Sequence, residues 1–137
     1  MSDTTGTWEP TGPVLPGADD LRAAAQLWRS HGEQAGQALS DPLRGLLRGA
    51  MQAPAGALDE TLGSLDGADL EDLLRLFTIL EALPGFEAGA RSPVIPIARR
   101  LKAALDADAY RELVRWVRAH TDNRFLPHGS LQDRLRA

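Results

Sequence analysis

The amino-acid sequence predicts an all-α protein, a single helical bundle-like domain of five to six helices. Apolar residues cover most of a helix circumference between Asp69 and Leu83. Such a helix must be surrounded by other helices, because it has no polar face wide enough for water. β-branched residues are scarce, and most of them fall in helix-period segments or in the tails, which disfavours a sheet. Only a narrow stripe of this helix is polar or small, and it runs through Glu71, Arg75, Thr78 and Ala82. On the remaining surface, we expect four residues to lie at the centre of the core: Leu73, Leu74, Phe77 and Leu80.

Composition limits the classes of function. The chain has 137 residues, which suits one domain, and its 43% hydrophobic and 25% charged residues are ordinary for a globular protein. Aromatic residues make up only 5%, so Leu and Ala must build most of the core. The chain contains no Cys, which excludes disulfides, thiolate catalysis and Cys-based zinc sites.

The sequence also bears on location. The first residues, Met1-Ser2-Asp3-Thr4, have neither the basic nor the apolar character of a secretory signal. No run of 18 to 20 uncharged apolar residues occurs, so we expect no membrane span. A cytoplasmic location is the resulting expectation.

Residues 1–17 form a tail rich in Thr, Gly and Pro. Pro10, Pro13 and Pro16 recur at the three-residue period of polyproline II. With Trp8 among them, three interpretations stay open: a disordered leader, an arm packed on its own domain, or a docking peptide for another protein.

The first predicted helix runs from about Ala18 to Leu39. Its apolar residues share one face, and Asp19 and Asp20 suit the positive end of the helix dipole. Gly32 and Gly36 lie four positions apart and weaken its second half, by roughly 1 kcal/mol each relative to Ala.

The second predicted helix begins at Ser40-Asp41-Pro42, where a cap candidate precedes a proline at the first helical position. Ala53-Pro54 ends or kinks it. A short helix follows and is closed by Gly67, and its apolar residues are Leu58, Leu62 and Leu65.

The central apolar helix is expected to begin at Asp66 or Asp69 as its cap and to end at Pro84-Gly85. Residues 86–92 form a loop. Ser92-Pro93 then opens the next helix in the same way as the second one.

Asp106 or Asp108 caps a further helix, which Thr121-Asp122-Asn123 ends with Asn as a common left-handed cap. Ser130 with Asp133 is a capping signal for a last short turn that contains Leu131 and Leu135. We therefore divide the chain into a tail, a helical domain, and a C-terminal extended segment with a short turn that packs on the domain, at residues 1–17, 18–122 and 123–137.

Charge is divided unevenly along the chain. Residues 1–83 hold 5 Arg and 13 acidic residues, a net charge of −8, whereas residues 84–137 hold 10 basic and 6 acidic residues, a net charge of +4. The halves either pack together and partly neutralise each other, or the basic half faces an acidic partner.

One predicted helix face is basic. Arg111, Arg115 and Arg118 lie at helical spacing, and Arg99 and Arg100 precede them. These residues are candidates for anion binding, with a solvated face, an anionic partner protein and nucleic acid as the alternatives.

No catalytic, metal-binding or cofactor-binding motif emerges. The three His, at positions 31, 120 and 128, form no pair at i, i+4 spacing, and no H-E-x-x-H motif occurs. The acidic residues at 66, 69, 71 and 72 suit a helix start better than a calcium loop. Glycine motifs for phosphate and the G-x-S-x-G motif are absent. We therefore assign no catalytic residue, metal or cofactor.

The segment from Asn123 to Leu131 is the candidate partner surface, because connections between helices are usually polar and this one is not. It carries Phe125, Leu126 and Pro127 between Arg124 and His128, close in sequence to Trp116. The two interpretations are packing on the last helix and a partner or dimer contact with Phe125 as its anchor.

These observations predict a small cytoplasmic, non-catalytic protein that binds other proteins as an adaptor or regulator, or that self-associates. A nucleic-acid-associated protein using the basic C-terminal half is the first alternative. An enzyme subunit with a carboxylate–Arg site between helices is the second.

Overall fold

A computed structural model describes residues 15–54, 56–121 and 123 of the chain. Across these ranges the regular structure is helical and no strand occurs, which confirms the all-α prediction. The predictions for the tail up to residue 14 and for residues 124–137, Phe125 included, lie outside the described residues.

Five helices of 11 to 14 residues and two shorter ones make up the described part of the fold. Short 3₁₀ turns occupy Gly32–Gln34 and Gly89–Arg91. In chain order the helices are α1 Ala18–His31, α2 Ala35–Ala38, α3 Asp41–Gln52, α4 Asp59–Gly63, α5 Gly67–Leu80, α6 Val94–Ala104 and α7 Ala107–His120.

Three predicted caps are confirmed at the helix N-termini, where backbone N–H groups have no helical partner. Ser40 Oγ accepts a hydrogen bond from a first-turn amide of α3 at 3.3 Å. Asp66 and Asp106 do the same for α5 and α7, each through Oδ1 at 2.8 Å.

The first predicted helix is not continuous, so that prediction is wrong in its second half. Gly32 adopts φ 58° and ψ −133°, a conformation that only glycine reaches without strain. The chain turns there and resumes as α2. Gly36 then lies in a crowded site, where a Cβ atom would come 3.3 Å from Leu83 Cδ1.

Two predicted boundaries of the central helix also differ. Gly67 does not close the preceding short helix but is the first residue of α5, directly after its cap. The helix ends at Leu80 rather than at Pro84-Gly85, because the amides of Ala82 and Leu83 bond three residues back and tighten the chain into turns.

The C-terminal end of α7 differs from the predicted left-handed cap. Thr121 follows the helix in extended backbone, with φ −150° and ψ 148°. No non-glycine residue in the described ranges has a positive φ.

The core is centred on α5, which contacts α1, α6 and α7. The predicted central residues Leu73, Leu74, Phe77 and Leu80 are at most 1% exposed. Thr78 on the expected polar stripe is also buried, and its hydroxyl donates to the Leu74 carbonyl at 2.7 Å. The hydroxyl is thereby satisfied inside the core.

Contacts between side chains define the helix directions. Arg22 of α1 binds the Ser64 carbonyl before α5, and Arg29 binds Asp72 further along it, so α1 and α5 run the same way. Arg75 contacts Trp116, and Glu81 binds Asn123, so α7 is parallel to them as well. No helix of the described residues is long and apolar enough to cross a membrane.

Candidate functional site

An open groove of about 570 Å³ lies between α5 and α7. Leu113 and Trp116 of α7, with Leu105 and Ala109, supply its apolar side chains. Leu105 and Trp116 are only partly buried, although both pack against the core. The groove therefore leaves a small apolar surface, at Leu105 and Trp116, that no described part of the chain covers.

Charged side chains form the rim of the groove in a fixed order. On α5, Glu71 precedes Arg75 and lies 3.9 Å from it. On α7, Glu112 precedes Arg115 and lies 2.8 Å from it. Because α5 and α7 are parallel, the acidic residue precedes the arginine in the same direction along both helices, and each acid contacts its own arginine.

An aromatic stack lies beside Arg75 and includes Trp116 of the groove. Trp116 meets Trp28 of α1 edge to face at a centroid distance of 5.7 Å and stacks on His120 at 4.0 Å. The guanidinium of Arg75 lies 6.0 Å from the Trp116 ring centroid. Such contacts fix the indole in place, so that its exposed edge is a rigid contact surface.

An ion-pair cluster holds α1 against α5 on the side next to this stack. Arg29 Nη2 donates to Asp69 Oδ1 at 2.7 Å, and its Nε donates to Asp72 Oδ2 at 2.6 Å. The hydrogen bonds that Arg29 donates to Asp69 and, second in effect, to Asp72 raise its pKa. Together with the Asp66 cap, this explains three members of the acidic cluster without a ligand.

A second open cleft, of about 590 Å³, lies where the C-terminal ends of α5 and α7 meet. Glu81 and Arg118 line it, and Glu81 Oε1 accepts a hydrogen bond from Asn123 Nδ2 at 3.0 Å. Burial raises the pKa of Glu81 above its ordinary value, and hydrogen bonds from Ser92, Asn123 and the Ala88 backbone reduce the rise. Among the described residues, the carboxylate–Arg contacts between two helices are those of Arg29 with Asp69 and Asp72.

The predicted partner-binding residues are only partly covered by the structure. Trp116 lines the groove. Arg124, Phe125, Leu126 and His128 lie outside the described residues.

The predicted anion-binding arginines are spread over two helices and are mostly engaged with the protein itself. Arg111 pairs with Asp108 at 3.1 Å, and Arg115 pairs with Glu112. Arg100 donates to the Asp59 carbonyl and Arg118 donates to the Asn123 carbonyl, each at 2.8 Å. Arg99 is exposed on α6.

No metal-binding arrangement is present among the described side chains, since no three His, Asp or Glu groups converge. His120 Nδ1 lies 2.7 Å from the Trp116 carbonyl, and its Nε2 lies 3.5 Å from Glu33. His31 is exposed at the end of α1.

Of the side chains that line the groove, the sequence singles out Trp116 and Arg115 and misses the others, among them Glu71 and Arg75. The narrow polar stripe on the central helix was the available signal, because a polar stripe on a buried helix indicates an opening between its neighbours. The helix that flanks this opening is determined by how α5 and α7 pack together. The spacing of residues along the sequence does not reveal that packing.

The fold and the groove define a small all-α protein with an open interhelical binding surface. Comparison of the chain with protein-family models, with curated proteins and with solved structures found no match.

Proposed function

We propose that this chain is a non-catalytic binding protein that takes a segment of another protein into the groove between α5 and α7. The observation that carries the proposal is the groove itself, with an apolar floor around Trp116 and Leu113 and charges of both signs on its rim. A rigid aromatic residue surrounded by polar groups is the usual anchor of a protein interface.

The rim favours a protein segment over a phosphate-bearing ligand. Arg115 already pairs with Glu112, and Arg75 lies close to Glu71. A polyanion in the groove would meet the carboxylates of Glu71 and Glu112 as well as the two guanidinium groups, and the carboxylates would repel it. An amphipathic peptide can instead place apolar side chains on the floor and charges of both signs beside the mixed rim.

The cellular location and the C-terminal segment also belong to the proposed function. We propose a cytoplasmic adaptor or regulatory role, and the absence of Cys supports it because the fold needs no oxidising compartment. Phe125 and Leu126 extend the proposed contact beyond the described residues, with Arg124 and His128 beside them.

A charge swap on the rim tests the proposal. Glu112→Arg with Arg115→Glu keeps the ion pair, the helix and the net charge, but it reverses the charge order of α7 beside the groove. The immobilised swap variant should recover at least five-fold less of the proteins that the original chain captures from native lysate, as measured by quantitative mass spectrometry.

The matched control lies on the same helix. Asp108→Arg with Arg111→Asp swaps another exposed pair of the same spacing that does not line the groove. It should leave capture unchanged. Phe125→Ala should weaken capture while the melting temperature stays within a few degrees. Equal capture by both swap variants would refute the groove as the binding surface.

A further inference from the structure

The basic residues of the described chain differ in whether they form ion pairs. Five arginines on α1, α5 and α7 lie close to a carboxylate: Arg22, Arg29, Arg75, Arg111 and Arg115. By contrast, α6 contains three basic residues and no acidic residue, and Arg91 lies in the turn before it. None of these four basic residues forms an ion pair with a described carboxylate. Arg91 and Arg100 donate instead to the backbone carbonyls of Gln52 and Asp59.

The outer face of α6 presents this charge to solvent. Ile95, Arg99 and Lys102 lie at i, i+4 and i+7, so they share one face of the helix over about 10 Å. Arg99 and Lys102 are exposed, and Ile95 is half-buried between them and Arg91 in the sequence. Neither Arg99 nor Lys102 has a hydrogen bond or ion pair with a described residue. Their charges are therefore available to a ligand without first breaking an internal contact.

A small cleft lies beside the N-terminal half of this face, between α6 and the chain that follows α3. Its volume is about 100 Å³, and its apolar lining includes Pro54, Ala57 and Ile95. Arg91 and Arg99 line it as well. An apolar cavity of roughly 150 Å³ holds a benzene molecule, so this smaller cleft suits one aliphatic side chain.

The charges around the cleft favour an anionic ligand. Asp59 also lines it, but this exposed carboxylate pairs with neither Arg91 nor Arg99, so the two guanidinium groups outnumber it. An extended peptide advances about 3.3 Å per residue, so three or four residues span the face of α6. Such a peptide can place an aliphatic side chain in the cleft and carboxylates beside the arginines. A nucleic acid would bring phosphates to this face but no aliphatic side chain for the cleft.

We propose that the outer face of α6 docks an acidic segment of another protein. Arg91, Arg99 and Lys102 hold its carboxylates, and the cleft beside Ile95 takes a leucine or valine that lies between them. This surface is separate from the α5–α7 groove, because no residue of α6 lines that groove. Exposed charges are screened by salt, so that the interaction weakens as the salt concentration rises.

A synthetic peptide tests the proposal with the full chain. In this probe, one leucine is flanked on each side by an aspartate and a glutamate, and the peptide carries an uncharged fluorophore. Fluorescence anisotropy at low salt should show binding, and Arg99→Glu should weaken it at least five-fold. Arg111→Glu is the matched control, because Arg111 is also exposed and the net charge changes equally, but it does not line the cleft. It should change the affinity less than two-fold.

Two further comparisons test the cleft and the charges of the ligand. A peptide with glycine in place of leucine should bind at least three-fold more weakly, and so should one with asparagine and glutamine in place of the acids. Ala57→Leu places a larger side chain in the cleft, so it should remove the difference between the leucine and glycine peptides. Circular dichroism of each variant checks that the helices are intact.

The other outcomes would overturn the proposal. Equal weakening by Arg99→Glu and Arg111→Glu would mean that the peptide responds to the overall charge and not to this face. Equal binding of the leucine and glycine peptides would remove the cleft from the interaction. Tighter binding of a duplex RNA that depends on Arg99 would make the face a nucleic-acid surface, and self-association that Arg99→Glu abolishes would make a second copy of this chain its partner. Glu112→Arg with Arg115→Glu should leave peptide binding unchanged, so the α5–α7 groove and this face are tested independently.

Discussion

Glu81 illustrates how a single residue acquires its properties from the packing around it. In the sequence it is one glutamate after an apolar run, without a motif. In the structure its carboxyl is partly buried between α5 and the loop before α6, and it binds Asn123. Burial disfavours the charged form and raises the pKa, which makes this residue sensitive to pH.

The sign of the effect on stability follows from proton binding. Between its ordinary pKa of 4.5 and its higher pKa in the folded protein, Glu81 binds more protons in the folded state than in the unfolded chain. The free energy of unfolding therefore falls as the pH rises through this interval. Glu81→Gln, which cannot ionise, should show a smaller loss of stability between pH 4.5 and pH 7.5, measured by urea denaturation.

Glu87→Gln is the control for this measurement, because Glu87 lines the same cleft but is exposed. It should keep the original pH dependence. If Glu81→Gln loses as much stability over the interval as the original chain, the burial of Glu81 has no energetic consequence for folding.

At the scale of elements, the sequence predicts the first residues of the helices better than their last residues. Side-chain caps depend on residues within one turn, so Ser40, Asp66 and Asp106 could be recognised locally. The break at Gly32 could not, because a glycine in a helix-period segment either weakens the helix or ends it. Contact of the following residues with α5 decides between the two.

Two glycine substitutions test this interpretation. Gly32→Ala should lower the free energy of unfolding by about 1–2 kcal/mol, since a Cβ atom strains the observed backbone conformation. Gly45→Ala should raise it by about 0.5–1 kcal/mol, because Gly45 lies within α3 and a Cβ atom there meets no neighbour. Urea denaturation measures both. A stabilising Gly32→Ala would mean that α1 continues through this position.

The candidate site was predictable only in part. The sequence indicates Trp116 as an aromatic residue near a basic helix face, and helical spacing reveals the polar stripe of α5. The groove arises because these two faces lie opposite each other. The charge order on its rim needs the parallel direction of α5 and α7, and helix direction is set by the connections and the core.

At the scale of the whole molecule, the uneven charge along the chain is not cancelled by many direct contacts. Among the described residues, a single contact between ionisable groups joins the two halves: His120 Nε2 lies 3.5 Å from Glu33 Oε2. The arginines of α7 pair with acidic residues of the same helix instead. This arrangement lowers the positive field that α7 can present to a nucleic acid.

We therefore expect weak binding to random duplex DNA or RNA, with a dissociation constant above about 0.1 mM at 150 mM salt. The expected result is that replacing Arg111, Arg115 and Arg118 by Gln leaves this binding unchanged, as measured by fluorescence anisotropy. Micromolar binding that falls steeply with salt and disappears in the triple variant would favour the nucleic-acid alternative over a protein partner.

The sequence alone determined the helical class, the apolar character of α5, its central core residues and the capped starts of the main helices. These features depend on residue type and on spacing within a few turns. Only the tertiary structure decided the break after α1, the Arg29 ion pairs, the burial of Glu81 and the groove beside Trp116. Each of these depends on which residues from distant parts of the chain meet, and that is set by how the helices share one core.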